Sequence, residues 1–300
     1  MFHVEHVMEN INTCPICQSD AISQSFAVKD HMVSGESFNV VSCADCGFQR
    51  TSPRPNPIGP YYESDDYLSH NTNKRSLFDR AYHIIRDRAA SQKLQFLQKQ
   101  LSQNTEIPRL LDIGCGIGVF LNEAKKQKWS ISGVEISDSA RKQAETRLNQ
   151  PIFKHFDEVP PDAKFDGISL WHVLEHLPNP VETLQKIHTH AEEGAALVLG
   201  LPNPESHDAQ FYGSDWAAWD VPIHFWHFRK QDVEALANMT GWTLESVHPM
   251  KWDSYYVSLL SESFIHGRKR WVPATWRGWL SNLKGGEHNT SSLKYVLRKL

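Results

Sequence analysis

The sequence predicts an α/β fold, in which helices cover a mostly parallel sheet, preceded by a small cysteine-rich module. Three observations support this prediction. Short apolar segments alternate with helix-like segments between residues 108 and 248, as in parallel sheets with helical crossovers. A glycine-rich turn at residues 114–118 follows the first apolar segment. Two C-x-x-C pairs lie within the first 46 residues.

Composition indicates a folded protein and excludes several classes of function. The 300 residues include 31 Lys+Arg and 35 Asp+Glu, a net charge of −4, and 40% are hydrophobic. This content suffices for a core, and the near-balanced charge argues against general nucleic-acid binding. No apolar run approaches the roughly 20 residues of a transmembrane helix. Because the first basic residue is Lys29, no basic segment of a secretory signal is present, and we expect a cytoplasmic protein.

The four paired cysteines predict a structural metal site. A C-x-x-C turn places two thiolates on one side of a tight turn, and two such turns complete a tetrahedral S4 site, which Zn²⁺ favours. Four protein ligands leave no open position, so the metal would be structural. A redox dithiol is the alternative, although it needs only one pair. The predicted zinc ligands are Cys14, Cys17, Cys43 and Cys46.

The chain divides into four predicted segments. Residues 1–56 form a zinc-ribbon-like module that ends in a proline-rich linker. Residues 57–107 form a helical entry or lid segment, residues 108–248 the α/β core, and residues 249–300 an aromatic, basic C-terminal segment. Apolar residues at roughly helical spacing mark the entry helix: Leu77, Phe78, Ile84, Ile85, Leu94, Leu97 and Leu101.

Within the core, four strands and two helices are predicted from apolar patterning. The first predicted helix follows the glycine-rich turn directly, and the second follows the second predicted strand. The strands are Arg109–Ile113, Ile131–Glu135, Gly167–Trp171 and Ala195–Leu201, and the helices are Val119–Gln127 and Asp138–Leu148.

The glycine-rich turn predicts a nucleoside-containing ligand. Gly114, Gly116 and Gly118 let the backbone turn sharply and let a ligand approach closely. Glu135 ends the next strand, where a carboxylate can accept hydrogen bonds from ribose hydroxyls. The dinucleotide pattern G-x-G-x-x-G would require glycine where Val119 stands. Asp112 would repel a pyrophosphate but attract a cation, which favours a cofactor carrying an ammonium and a sulfonium over NAD.

This segment resembles the first motif of the class I S-adenosylmethionine-dependent methyltransferases, an acid followed by G-x-G-x-G. The resemblance implies a Rossmann-like fold with a mostly parallel seven-stranded sheet. It also implies that Asp112 orients the methionyl end of the cofactor, Glu135 holds its ribose and Ile136 flanks its adenine. The full set of implied cofactor-binding residues is Asp112, Gly114, Cys115, Gly116, Gly118, Glu135, Ile136, Asp157 and Leu170.

The segment His172–Pro180 allows two interpretations. His172-x-x-Glu175-His176 matches a zinc-protease motif, but that motif belongs on a helix, and two prolines follow closely here. The same segment resembles the fourth motif of the methyltransferases, in which the strand end faces the methyl donor. His172 is then a candidate catalytic residue. In the quinone O-methyltransferases of this superfamily the related segment can hold a divalent cation, but His172 replaces its first acid, which argues against Mg²⁺.

Two downstream features add candidates. The segment Asp220–Phe228 resembles a motif of a bacterial branch of the family, and its histidines His224 and His227 are candidate catalytic residues. From Arg268 onward the chain has eight basic residues and one acid. Leu293, Val296, Leu297 and Leu300 there follow helical spacing, so a basic amphipathic end could contact an anionic membrane.

Together these features predict methyl transfer from S-adenosylmethionine to an O, N or C nucleophile of a small molecule, such as a sugar or a quinone. S-adenosylhomocysteine would be the product. A zinc-containing RNA methyltransferase, a non-catalytic cofactor-binding module and an NAD or nucleotide-sugar enzyme are the alternatives. The oligomeric state is left open.

Overall fold

The computed structural model describes residues 7–62, 77–101 and 106–300. The described residues form twelve strands. In chain order they are β1 (Val7–Glu9), β2 (Ile22–Lys29), β3 (Ser37–Cys43), β4 (Gln49–Thr51), β5 (Arg54–Asn56), β6 (Arg109–Ile113), β7 (Ser130–Val134), β8 (Phe165–Trp171), β9 (Ala191–Pro202), β10 (Trp226–His227), β11 (Trp242–Pro249) and β12 (Ser292–Lys299).

Eight α-helices lie in the same described residues, together with short 3₁₀ turns. They are α1 (Leu77–Gln98), α2 (Val119–Lys126), α3 (Asp138–Leu148), α4 (Pro180–His190), α5 (His207–Tyr212), α6 (Lys230–Met239), α7 (Asp253–His266) and α8 (Trp271–Gly285). None of the helices in this described part is both long and apolar enough to cross a membrane.

The central sheet has six strands in the order β11-β12-β9-β8-β6-β7. Strands β9, β8, β6 and β7 pair in parallel, and β12 is antiparallel to both of its neighbours. Beyond β7, the part of the chain that the structure describes adds only one bridge, between Val134 and Phe153. The expected seventh strand is therefore reduced to this bridge. Pro151 lacks an amide hydrogen and a 3₁₀ turn begins at Phe156, so no longer strand forms there.

Helices cover both faces of this sheet, as predicted. On one face α1 and α2 bury Leu94, Leu97 and Leu121 against the sheet. On the other face α4 and α6 bury Leu184 and Leu236. The predicted helix residues Leu77, Phe78, Ile84 and Ile85 fall within α1, but their side chains lie outside the described residues.

The C-terminal residues form a strand, which corrects the helical interpretation of this segment. Leu293, Val296 and Leu297 are fully buried in β12, between β9 and β11. A strand with both faces buried has no strict alternation, so its apolar residues can imitate helical spacing. Its basic residues bind within the protein, because Arg298 pairs with Glu245 and Lys299 donates to Ala191 O at 3.0 Å.

The cysteine-rich module is docked on the core through shared strand pairing. Its strands β2, β3 and β4 form a sheet that β10 of the core extends, with Trp226 opposite Arg50. Thr51 Oγ1 donates to His224 O at 2.6 Å in the same junction. The four-segment division stays a prediction, but residues 249–300 do supply an inner strand of the central sheet.

Candidate active site

The glycine-rich turn lies at the carboxyl end of β6, where parallel sheets bind ligands. The amides of Gly114 and Cys115 both donate to Val134 O, at 2.8 and 3.0 Å, which ties the turn to β7. Gly114, Gly116 and Gly118 all have positive φ angles, of 72°, 54° and 75°. This backbone requires glycine, because L side chains are strained in the left-handed region.

The three glycines have different surroundings. A Cβ on Gly114 would lie 2.4 Å from Val173 Cγ2, and a Cβ on Gly118 would lie 3.1 Å from Ala144 Cβ of α3. Both positions are therefore closed by protein packing. A Cβ on Gly116 would meet no protein atom within 4 Å. The open space of the turn lies at Gly116, and this is where a ligand can approach the backbone.

Glu135 connects the ends of the adjacent strands β6 and β7. Its carboxylate accepts from the Gly116 amide and from the Ser137 amide, both at 2.8 Å. The next residue, Ile136, is 70% exposed. A carboxylate with spare lone pairs and an exposed apolar side chain thus stand beside the open side of the turn, in an arrangement suited to a ribose and a flat base.

Asp112 lies beneath the turn at the end of β6 and is buried. It accepts a 2.6 Å hydrogen bond from Ser169 Oγ. Burial is the main influence on this carboxyl and raises its pKa to about 7, because it disfavours the charged form. Ser169 and the Lys93 ammonium oppose this effect. A cation bound near Asp112 would favour the ionised form.

The remaining predicted cofactor residues differ in their exposure. Leu170 is fully buried in the core, beside Ile113 in the register of β8 and β6. Cys115 is buried in the cluster beneath α2, and burial raises the pKa of its thiol. Asp157 is exposed and pairs with Lys186 Nζ at 3.0 Å. Contact of these three with a cofactor stays a prediction.

His172 directly follows β8 and has a left-handed conformation, with φ at 56°. Its Nε2 lies 3.0 Å from Asp253 Oδ2, and its Nδ1 lies 3.4 Å from Glu175 Oε1. Burial disfavours the imidazolium, but the two carboxylates outweigh this effect and raise the pKa of His172 to about 9. A non-glycine residue held in this conformation next to the glycine-rich turn is typical of a functional position.

Glu175, His176 and His224 form a polar cluster behind His172, in which Glu175 and His224 are buried and His176 is half-buried. One oxygen or nitrogen atom from each side chain could bind a metal, and these three atoms lie within 4.8 Å of one another. His224 Nδ1 lies 3.0 Å from Ala218 O, and His176 Nδ1 lies 3.1 Å from Ile223 O. A carbonyl oxygen can only accept, so each Nδ1 carries the ring hydrogen and each Nε2 has a free lone pair. Burial lowers the pKa of both histidines, that of His176 to about 4. Two neutral imidazoles and a carboxylate could hold a divalent transition metal.

The zinc-protease interpretation does not fit this geometry. Glu175 and His176 lie in a 3₁₀ turn, Leu174–His176, and His172 precedes it at the strand end. The i and i+4 histidines therefore do not share one face of a helix, as that motif requires.

His227 lies at the junction with the cysteine-rich module. Its Nε2 is 3.1 Å from Thr51 Oγ1, and its ring packs edge-on against Trp219, with ring centroids 4.9 Å apart. Burial lowers the pKa of His227 well below its usual range. A catalytic role stays a prediction, and these contacts are those of a residue that holds the module in place.

The four predicted zinc ligands come together. The sulfurs of Cys14 and Cys46 are 3.5 Å apart, those of Cys17 and Cys43 are 3.4 Å apart, and all four lie within 4.8 Å of one another. Bonds of about 2.3 Å in a tetrahedron give sulfur separations near this range. The donor set therefore fits Zn²⁺. Gly47 follows with a φ of 73°, and the Arg229 guanidinium donates to Cys46 O at 2.8 Å.

Two residues next to His172 were missed by the sequence analysis. Asp253 is the first residue of α7 and follows His172 by 81 positions in the sequence. No local sequence pattern around His172 could therefore predict it. Lys93, from α1, places Nζ 4.4 Å from the centre of the Trp171 ring. Burial lowers the pKa of Lys93, and Asp253 and Asp112 oppose that effect.

An aromatic cleft of about 580 Å³ lies between the start of α7 and the end of α8. Trp252, Tyr255, Trp279 and Leu283 contribute most of its apolar lining. Trp252 directly precedes Asp253 in the chain, but neither Asp253 nor His172 is among the residues that line the cleft. Such a cleft suits a flat apolar molecule.

Curated relatives match part of the chain. The ubiquinone biosynthesis O-methyltransferase of Pseudomonas aeruginosa is 26% identical over 137 residues, 41% of this chain and 57% of that protein. The enzyme of the same name from Histophilus somni is 26% identical over 123 residues, 37% of this chain and 51% of that protein. The chain thus matches somewhat more than half the length of these relatives.

Solved structures share the fold at low identity. A magnesium protoporphyrin IX methyltransferase from Synechocystis, solved with bound S-adenosylhomocysteine, has a TM-score of 0.51 at 12% identity and covers 80% of this chain and 97% of its own. A possible histamine N-methyltransferase from Thermotoga maritima has a TM-score of 0.50 at 17% identity and covers 80% and 99%. The family model described as "Methyltransferase domain" matches residues 82–247, more than half of the chain. The chain therefore belongs to the methyltransferase domain family.

Proposed function

We propose that this protein transfers a methyl group from S-adenosylmethionine to a hydroxyl oxygen of a small, flat, apolar acceptor. The observation that carries the proposal is the turn at the end of β6, which is open at Gly116, with Asp112 of β6 beneath it and Glu135, which follows β7, beside it. Asp112 suits the ammonium of the methionyl group and Glu135 suits the ribose. Ile136, exposed beside Glu135, suits one face of the adenine.

His172 supplies proton chemistry in this proposal. When bound, S-adenosylmethionine would supply an electrophilic methyl group. His172 Nδ1, which lies 3.4 Å from Glu175 Oε1, would accept the proton that the acceptor hydroxyl loses as its oxygen attacks, once the hydroxyl replaces Glu175 at this nitrogen. Asp253, bonded to the other side of the ring, orients His172 and stabilises the imidazolium that forms. The remaining contribution is positioning, with reacting atoms held about 3–3.5 Å apart.

The cleft supports an aromatic acceptor rather than a sugar. Its walls carry Trp252, Tyr255 and Trp279, and apolar rings bind flat molecules by stacking. The names of the curated relatives agree with such a molecule. The four cysteines need a reducing compartment to stay thiols, and the cytoplasm provides one.

The alternatives have weaker support. An RNA methyltransferase needs a basic groove along the substrate path, whereas this chain has a net charge of −4. A non-catalytic module would have no use for the polarised Asp253–His172 pair. An NAD enzyme would place a pyrophosphate next to Asp112, which repels it.

Calorimetric titration of Gly116→Ala with S-adenosylmethionine tests the cofactor site. The added methyl group enters the open side of the turn, so we expect binding to weaken at least about tenfold. Gly194→Ala is the matched control, because Gly194 also has a positive φ, of 74°, and also has no protein atom within 4 Å of an added Cβ. Both variants should lose a similar amount of thermal stability, whereas only Gly116→Ala should lose affinity. Equal affinities in the two variants would place the cofactor elsewhere.

A further inference from the structure

Helix α8 has its apolar face turned outward. Val272, Trp276, Trp279 and Leu283 follow one another at spacings of four, three and four residues, so they form one stripe along the helix. All four are exposed, with exposed fractions of 81%, 58%, 44% and 62%. A helix of a globular protein normally turns such a stripe toward the core.

The inner face of α8 consists of small residues and is tightly packed. Ala274, Gly278 and Ser281 are buried there. A Cβ on Gly278 would lie 2.8 Å from Tyr255 Cα, so α7 and α8 are in close contact. The tryptophans therefore cannot rotate into this interface, and the outward stripe is a fixed feature of the helical pair.

Basic residues flank the stripe at both ends. Arg268 and Lys269 precede α8, Lys284 lies in its last turn, and all three are exposed. The sequence has no acidic residue between Glu262 and Glu287. This segment is therefore strongly positive. Since the whole chain has a net charge of −4, the residues outside the segment carry a net charge more negative than −4.

We infer that the outer stripe of α8 docks on an anionic lipid bilayer. A tryptophan-rich apolar stripe with basic ends is the pattern of helices that lie in the plane of a membrane surface. The apolar side chains would enter the interface and the basic residues would meet lipid phosphates. The docking surface is α8, and not the C-terminal strand that the sequence indicated.

The stripe also borders the aromatic cleft, because Trp279 and Leu283 belong to both. Docking through α8 therefore places the cleft next to the bilayer. An apolar acceptor would then enter from the lipid phase, and this last step rests on the proposed function whereas docking itself does not.

Cosedimentation with vesicles tests docking without any measurement of activity. The full chain is mixed with phosphatidylcholine vesicles that contain or lack phosphatidylglycerol. We expect sedimentation with the anionic vesicles, weakened by added salt. Trp276→Ser combined with Trp279→Ser should reduce the bound fraction at least about tenfold, and Lys269→Glu with Lys284→Glu should do the same. Each change falls on an exposed side chain, and circular dichroism checks the fold.

Matched controls lie on other surfaces. Ile22→Ser removes an exposed apolar side chain from β2, and Lys126→Glu reverses an exposed charge on α2, so both should sediment like the parent protein. Absence of sedimentation with anionic vesicles overturns the inference. So does a dimer in light scattering that the tryptophan variants convert to monomers, since the stripe would then be an interface between two copies.

Discussion

Among individual residues, the sequence pointed to the acids and glycines of the turn more directly than to the surroundings of the histidines, and the roles of both stay predictions. Asp112, Gly116 and Glu135 were identifiable because a strand–turn–helix pattern fixes their spacing. The partner of His172 was not identifiable, since Asp253 is distant in sequence and reaches the site only through the packing of α7. The pKa of His172 depends on that partner and could not be read from the motif.

The pair formed by His172 and Asp253 predicts a specific pH dependence. A base with a pKa of about 9 is mostly protonated at neutral pH, so the methyl-transfer rate should rise about tenfold per pH unit and level off near pH 9. Because the Asp253 carboxylate raises this pKa, Asp253→Asn should move the rise to lower pH and reduce the maximal rate. A pH profile of kcat measures both effects.

Asp215→Asn is the control for this experiment. The Asp215 carboxylate also faces a histidine, with Oδ1 3.6 Å from His31 Nε2. This histidine belongs to the cysteine-rich module and is distant in sequence from the end of β8. The profile of Asp215→Asn should match that of the parent protein. An unchanged profile in Asp253→Asn would exclude His172 as the base.

Asp112→Ala should abolish measurable binding of S-adenosylmethionine in a calorimetric titration. The change removes the buried carboxylate that faces the expected ammonium and leaves Ser169 Oγ without its acceptor. Ser169→Ala serves as the comparison, since it removes the same hydrogen bond but keeps the Asp112 carboxyl group, and it should bind more tightly than Asp112→Ala. Equal affinity of Asp112→Ala and the parent protein would refute the assignment.

At the level of elements, predictions from apolar patterning succeeded where a glycine-rich turn or a helix cap bounds the element, and failed at the C-terminal strand. The predicted β6 and α3 have the observed bounds, and α2 ends within one residue of its prediction. In β12, burial of both faces removed the alternation that distinguishes a strand from a helix. The bridge at Phe153 could not be predicted either, because its pairing depends on the distant strand β7.

Leucine truncation tests the position of β12. Leu297 is fully buried between β9 and β11, so Leu297→Ala should lower the free energy of unfolding by about 2–5 kcal/mol. Leu300, three residues later, is 83% exposed, and Leu300→Ala should change it by less than about 0.5 kcal/mol. Urea denaturation measures both. A helical, exposed C-terminus would make the two variants equal.

At the scale of the whole molecule, the sequence predicted both parts but not their attachment. The cysteine spacing and the alternating core are local patterns. The pairing of β4 with β10, and the Arg229 contact with Cys46, join residues about 180 positions apart. Nothing in either local pattern specifies such a partner.

Metal removal tests this attachment. Chelation should release one zinc ion from the four cysteines and lower the thermal midpoint of the whole chain, because β4 loses its order and β10 loses its pairing partner. Cys17→Ser should have low zinc content, whereas Cys115→Ser, outside the cluster, should retain the ion. A calorimetric transition that is the same with and without zinc would show that the core is independent of the module.

The helices α7 and α8 form an insertion between β11 and β12. These two strands pair with each other, and Pro249 lies opposite Leu293. The sheet therefore holds the two ends of the insertion together, whatever the length of the insertion. Changing that length costs little loop entropy. Residues 250–291 supply Asp253 and the aromatic cleft, whereas the glycine-rich turn lies elsewhere in the chain. Exchanging this one segment between homologous proteins should therefore transfer acceptor preference and leave cofactor recognition unchanged. Both evolution and protein engineering could change the acceptor through this segment alone.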